Sequence, residues 1–204
     1  MRLLLASGNQ KKLAELERLL AALDVDLCTP ADIGGLDDVV EDQPTFLGNA
    51  RKKALAAAAA SGLWSLADDS GLEVDFLDGA PGVHSARFAG SHGDDEANNR
   101  VLLEKLTGVP TRERGARFAC ALVLANPSGE VAAEFEGHAH GRILEERRGH
   151  RDFGYDPYFL FTEEGFAATG RGFAELESDE KSAVSHRGRA LRALIEHLEI
   201  ASTR

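Results

Sequence analysis

The sequence predicts an α/β fold: a mixed, twisted central β-sheet with flanking helices. Three observations carry that prediction. Apolar runs of strand length alternate with amphipathic stretches of helix length along the chain. Two long β-type runs meet across Asn126-Pro127-Ser128-Gly129, a turn composition, so at least one strand pair is antiparallel. The 204 residues are 43% apolar and 28% charged, enough to bury a core without staples.

Each element has its own reason. Arg2–Ala6 is a short buried strand. Lys11–Leu23 is a helix, because Leu13, Leu16, Leu19, Leu20 and Leu23 recur at helical spacing. Asp26–Thr29 is a second strand, and Pro30–Pro44 is an acidic, turn-rich stretch carrying Glu41. Phe46–Ser61 is Ala-rich with no Gly after Gly48, and so a strong helix. Leu66–Asp68 and Leu72–Phe76 read as short strands flanking Asp-Asp-Ser-Gly. Gly79–Gly93 holds many turn residues and is a loop. Asp94–Leu106 is a helix whose first turn is acidic, as the helix dipole favours. Phe118–Asn126 and Val131–Gly141 form the hairpin, and Ser185–Leu198 is the last helix. No repeat, low-complexity tract or long linker interrupts the chain, so residues 1–204 are expected to form one continuous unit.

Composition excludes several function classes. A net charge of −11 argues against a nucleic-acid binder, which shows a basic face. It leaves room for a small anionic ligand, since a few local cations outweigh the average; the chain has 17 Arg and 6 Lys. No run of 18 apolar residues exists, and the start, MRLLLASGNQ, is too briefly apolar for a secretory signal, so no membrane partner is expected. Cys28 and Cys120 cannot make a disulfide framework; they read as reduced, buried thiols of a cytoplasmic protein.

Five segments carry candidate chemistry, the first four with a plainer structural alternative. Ser7-Gly8-Asn9-Gln10-Lys11-Lys12 follows a strand and opens a helix; such a start offers free N–H groups to phosphate, or is simply a capped helix with solvated lysines. Lys53 falls in the inward stripe of Phe46, Ala50, Ala54 and Ala57, where it needs an anionic partner or a snorkelling stem. Glu41, Asp68 and Asp69 supply the oxygen ligands that a hard divalent cation wants, although Asp-Asp before Ser-Gly is also turn composition. On a strand the two adjacent aspartates point to opposite faces. Phe153-Gly154-Tyr155-Asp156-Pro157 offers an aromatic face to a flat ring, or plugs the core. Lys181, His186 and Arg187, around the start of the last helix, bring donors able to read base oxygens or bind phosphate. His138 and His140 share a strand face but lack a third zinc ligand at convincing spacing, and Arg87 is left open between catalysis and fixing a loop.

Taken in order, SGNQKK, Glu41 followed by PTF and NARKKA, ADDSGLEVD, GAPGVHSARFAG, FGYDPYF and DEKSAVSHRGRAL resemble the Ham1/RdgB-like family of inosine triphosphate pyrophosphatases over almost the whole chain. The resemblance implies an elongated, two-lobed protomer with a substrate cleft between the lobes, and a homodimer. It implies Mg²⁺-dependent hydrolysis of ITP, dITP and XTP to the monophosphate and pyrophosphate. By position, Ser7 to Lys12 and Lys53 would hold the triphosphate, and Glu41 and Asp69 the metal, with Asp68 close by. Asp69 would accept the proton, and Ser70 would touch the substrate. Phe153 would stack on the purine, Gly154, Tyr155 and Asp156 would shape its pocket, and Lys181, His186 and Arg187 would read the base edge. One departure stands out: family members commonly carry Glu before the Asn of NARKKA, where this chain has Gly48, which implies weaker Mg²⁺ binding. Three alternatives stand beside this reading: a related pyrophosphatase with other base preferences, a nucleotide-binding regulator that has lost turnover, and a structural scaffold in which these motifs are loop caps.

Overall fold

Leu3, Leu4 and Leu5 are fully buried in the computed structural model, because the strand they form is central in the sheet and packed on both faces. The structure describes residues 2–21, 25–151 and 153–202, and for Gln10, Lys11, Ala201 and Ser202 the backbone alone. Six strands form one mixed sheet in the order β2-β1-β3-β4-β5-β6. They are β1 (Arg2–Leu5), β2 (Asp26–Cys28), β3 (Trp64–Val74), β4 (Gly115–Ala125), β5 (Val131–Ile143) and β6 (Phe159–Phe161). β1 pairs in parallel with β2 and with β3, whereas β5 and β6 pair antiparallel. β4 and β5 are joined by the expected turn, in which Asn126 N–H donates to Glu130 O at 2.9 Å.

The chain packs as two compact units. The first comprises Met1–Asp69, Cys120–Glu136 and Ala190–Arg204, the second Ser70–Ala119 and Gly137–Arg189. In the first unit, successive residues of the strands serve two cores, as the pleat requires. Leu3, Leu5, Leu66, Leu122 and Leu124 pack with α1 (Gln10–Leu20) and α5 (His186–Ser202) through Leu13, Leu16, Leu20, Leu191 and Leu194. Leu4, Ala6, Ala67, Ala121 and Val123 pack with α2 (Phe46–Ser61) through Ala50, Ala54, Ala57 and Ala58. The second unit has an aromatic core, with Phe118, Phe159 and Phe173 in mutual ring contact and Phe161 against Phe173. α3 (Asp95–Lys105) adds Leu102 to it, and α4 (Ser178–Val184) adds Val184.

The helix over 46–61 forms as the sequence predicts, with Thr45 Oγ1 capping Gly48 N–H at 3.1 Å and Gly62 ending it in the left-handed region. The proposed end of the first helix at Leu23 lies outside the described residues. β6 and α4 were not anticipated. Asp-Asp-Ser-Gly is a correction: no turn divides two short strands there, and β3 runs unbroken through it. Gly71 is the reason in the second unit. A Cβ on it would meet Ser85 Oγ at 2.3 Å and Gly82 O at 2.8 Å, so the glycine serves close packing and not a bend. Ser85 Oγ also accepts from Leu72 N–H at 2.9 Å, which holds the strand extended. Cys28 and Cys120 are both buried as thiols.

Candidate active site

In the first unit the start of α1 follows directly from β1. Ser7 Oγ accepts from Asn9 N–H (3.2 Å), and Asn9 Oδ1 accepts from Lys12 N–H (3.2 Å), so Asn9 caps the helix. Lys12 then lies one turn in, where its ammonium meets Asp68 at 2.9 Å. Gly8 stands in the open, with no heavy atom within 4 Å of a Cβ built on it. The side chains of Gln10 and Lys11 lie outside the described residues.

The alternation of β3 separates the two aspartates, as expected of adjacent strand residues. Asp68 has the parity of Leu66 and pairs with Lys12 of α1, while Asp69 has the parity of Ala67 and faces α2. There Lys53 Nζ is 3.3 Å from Asp69 and 2.7 Å from Glu41. Lys53 therefore has anionic partners on its inward stripe and is no mere snorkelling stem. Asn49, one turn before Lys53 and fully buried, was missed by the sequence reading. Its amide donates to Asp69 Oδ2 at 3.1 Å, and its Oδ1 accepts from Gln43 N–H at 3.0 Å. One side chain thus ties the Glu41-bearing segment to Asp69. Gly48 belongs to the same contact, since a Cβ there would stand 2.8 Å from Gln43 Cβ.

The charges of this cluster act on one another. Burial pushes the Asp69 carboxyl above its ordinary value; Lys53 opposes that rise, the Glu41 carboxylate adds to it, and Lys12 and the Asn49 amide oppose it. Burial works against the Lys53 ammonium, but Asp69, Asp68 and Glu41 outweigh it and hold Lys53 charged. Glu41 and Asp69 thus converge on a single ammonium. Among the described residues, no three His, Cys, Asp or Glu side chains gather around one point. Two carboxylates are the kind of hard oxygen donors that suit Mg²⁺ held together with a phosphate substrate.

In the second unit the remaining candidates gather around α4 and the start of α5. Arg187, 2% exposed, donates to Ser70 Oγ at 2.9 Å. His186 stacks on Phe118 with ring centroids 4.8 Å apart. Lys181 forms an ion pair with buried Asp156, and its ammonium lies 5.2 Å from the Phe153 ring centroid. Tyr155 is buried and donates to Ser85 O at 2.8 Å, and burial drives its hydroxyl pKa far upward. Gly154 is held by Asp95 and Asn99 of α3, two further residues that the sequence reading missed. Arg87 ends a 3₁₀ turn whose carbonyl accepts from Gly90 N–H at 2.8 Å.

Known proteins resemble this chain over nearly its whole length. A dITP/XTP pyrophosphatase of Rhodopirellula baltica is 50% identical over 196 residues, covering 96% of this chain and 92% of the relative. A HAM1 protein from Coxiella burnetii superposes with a TM-score of 0.87 at 38% identity, with 98% of both chains covered. A nucleoside-triphosphatase / dITP/XTP pyrophosphatase from Mycobacterium abscessus gives 0.77 at 46% identity, covering 95% of this chain and 98% of the other. The model of the Ham1 family matches residues 3–197, a span that holds every side chain described above, and the chain belongs to that family.

Proposed function

We propose that the chain is a pyrophosphohydrolase of non-standard purine nucleoside triphosphates, converting ITP, dITP and XTP to the monophosphate and pyrophosphate. The observation that carries this is Lys53, half-buried and paired with both Glu41 and Asp69. Such a cluster neutralises phosphate and takes up a proton in one place. The printed names of the relatives support the same reading.

The first unit supplies the phosphate chemistry. Lys12, Lys53 and the N–H groups at the start of α1, from Ser7 to Lys12, bind the triphosphate and stabilise charge on the leaving group. Asp69 accepts a proton from water as the water oxygen bonds to the α-phosphorus and the bond to the bridging oxygen breaks, releasing pyrophosphate. A carboxylate pushed upward by burial is a better base for that step. Glu41 and Asp69 would hold Mg²⁺, with Asp68 nearby but engaged by Lys12. When bound, the cation neutralises phosphate oxygens and makes water easier to deprotonate. The rest is positioning and electrostatics.

The second unit supplies base recognition. Phe153 stacks on the purine, Gly154, Tyr155 and Asp156 shape the pocket, and Ser70 touches the substrate. Lys181, His186 and Arg187 donate to the 6-oxo group of hypoxanthine and xanthine. Adenine presents an amino donor there and leaves these donors unpaired, a mismatch that such a site rejects strongly. The enzyme is further proposed to act as a homodimer in the cytoplasm; among the described residues no helix is long and apolar enough to cross a membrane. Light scattering at twice the mass of one chain tests the dimer.

The deciding experiment is pyrophosphate release from ITP, GTP and ATP, with and without Mg²⁺. Mg²⁺-dependent release from ITP is expected, with kcat/KM above that for GTP by at least about tenfold, roughly 1.4 kcal/mol. Equal rates on ITP and GTP would overturn the proposed selectivity. Binding of ITP without pyrophosphate release would make the chain a nucleotide-binding protein instead.

A further inference from the structure

We infer that Asp95 and Asn99 of α3 are positioning residues for the purine: they grip Gly154 from both sides and so set where the Phe153 ring stands. The inference rests on the reading in which Phe153 stacks on the base. Gly154 N–H donates to Asp95 Oδ2 at 3.0 Å, and Gly154 O accepts from Asn99 Nδ2 at 2.8 Å. Both polar groups of the residue that follows Phe153 are therefore held by side chains one helical turn apart on α3. Asn99 Nδ2 also donates to Asp95 O at 2.8 Å, which fixes the amide orientation and leaves it no other rotamer with the same bonds.

The clamp is itself anchored. The Asp94 side chain caps α3 by accepting from Ala97 N–H at 2.9 Å. Asn98 Oδ1 accepts from Ala89 N–H at 2.8 Å. Beyond the other end of the helix the Arg114 guanidinium donates to Leu106 O at 3.0 Å and Val109 O at 2.9 Å. Leu102 and Leu106 are fully buried. α3 is thus a fixed rail. The Phe153 ring, by contrast, borders open space: with Asp95, Asn99, Arg100 and Tyr158 it lines a cavity of about 740 Å³. The Lys181 ammonium lies 5.2 Å from the ring centroid, and the backbone that carries the ring is held through Gly154, so a shift of that backbone moves the ring with it. Downstream, Tyr155 and Asp156 are held by Ser85 O and Lys181, which fixes the loop beyond Gly154.

What Gly154 needs from residue 95 is an acceptor, not a charge. Asp95→Ala removes it and Asp95→Asn keeps it. The test is steady-state kinetics on ITP for Asp95→Ala, Asp95→Asn, Asn99→Ala and Phe153→Ala, with inorganic tripolyphosphate as a competitive inhibitor that carries no base. Expected for Asp95→Ala and Asn99→Ala is a KM raised roughly fivefold to tenfold, the scale of one lost hydrogen bond, with kcat falling less than KM rises. Asp95→Asn restores KM to within about twofold, since the acceptor is kept. Tripolyphosphate inhibits every variant as it inhibits the parent, an outcome that general loss of structure would not give. If Asn99→Ala yields too little folded protein, Asn99→Asp, of equal size but without the donor, takes its place. A raised KM in Phe153→Ala with unchanged KM in the α3 variants overturns the clamp and leaves base stacking standing. An unchanged KM in Phe153→Ala overturns base stacking, and the clamp with it.

Discussion

Asp69 and Glu41 lean on one ammonium, and most of the site's behaviour follows from that sharing. Asp69→Asn keeps the shape and the contact with Asn49 but cannot take up a proton. A kcat loss of about 10²–10⁴-fold is expected, the range for removing a general base, while ITP still raises the melting temperature. Near-normal turnover would remove Asp69 from its role. Away from the site, Glu163 shows how pH enters stability. Burial raises its carboxyl pKa, but the bonds from Arg189 and from His140 N–H win, and the group titrates below its ordinary 4.5. A carboxylate lowered on folding stabilises above its unfolded pKa, and that contribution is lost as pH falls through the folded value. Glu163→Gln should therefore melt lower than the parent at pH 7, and the gap should close on acidification below pH 4.5; a gap independent of pH would refute it. Lys53 and the two aspartates were legible in the sequence because a lysine in an Ala stripe and adjacent acids stand out locally. Asn49, Asp95 and Asn99 did not stand out. Their partners lie 20, 59 and 55 residues away, and a polar side chain on a helix announces nothing until those partners arrive.

Helix α2 was legible to the residue because its signals are local: a Thr cap, an Ala-rich body and a Gly stop. β3 was not, because its continuity is enforced from outside. Turn composition at Asp68–Gly71 is overruled by Ser85 packed on Gly71 and by lysines drawing the two aspartates to opposite faces. β6 and α4, of 3 and 7 residues, are too short to show a period. Gly48 gives an element-level test. At an ordinary helical position Gly→Ala gains roughly 0.5–1 kcal/mol. Here the new Cβ would press on Gln43 Cβ at 2.8 Å and Thr45 Oγ1 at 3.1 Å, displacing the segment that Asn49 binds. Gly48→Ala should lower the melting temperature and raise the Mg²⁺ concentration needed for half-maximal rate. A gain in melting temperature would show that the segment yields freely.

At the scale of the whole molecule, the fold class, the mixed sheet and the family were all legible, because strand–helix alternation and ordered motifs extend across the chain. Which segments make up each of the two units was not, because each is assembled from segments far apart in sequence. Leu194 of α5, fully buried, packs in the core that holds Leu3 and Leu5 of β1. Leu194→Ala should cost about 2–5 kcal/mol, read as a lower urea midpoint; a loss under 0.5 kcal/mol would mean that α5 is not part of that core. The same packing has a consequence during protein synthesis. Lys12, Lys53 and both aspartates leave the ribosome well before the leucines of α5 that cover one face of their sheet. At ordinary translation rates that face waits on the order of ten seconds. Through that interval the nascent chain presents bare leucines, a surface for chaperones to hold, and pyrophosphatase activity can begin only after α5 has emerged and docked.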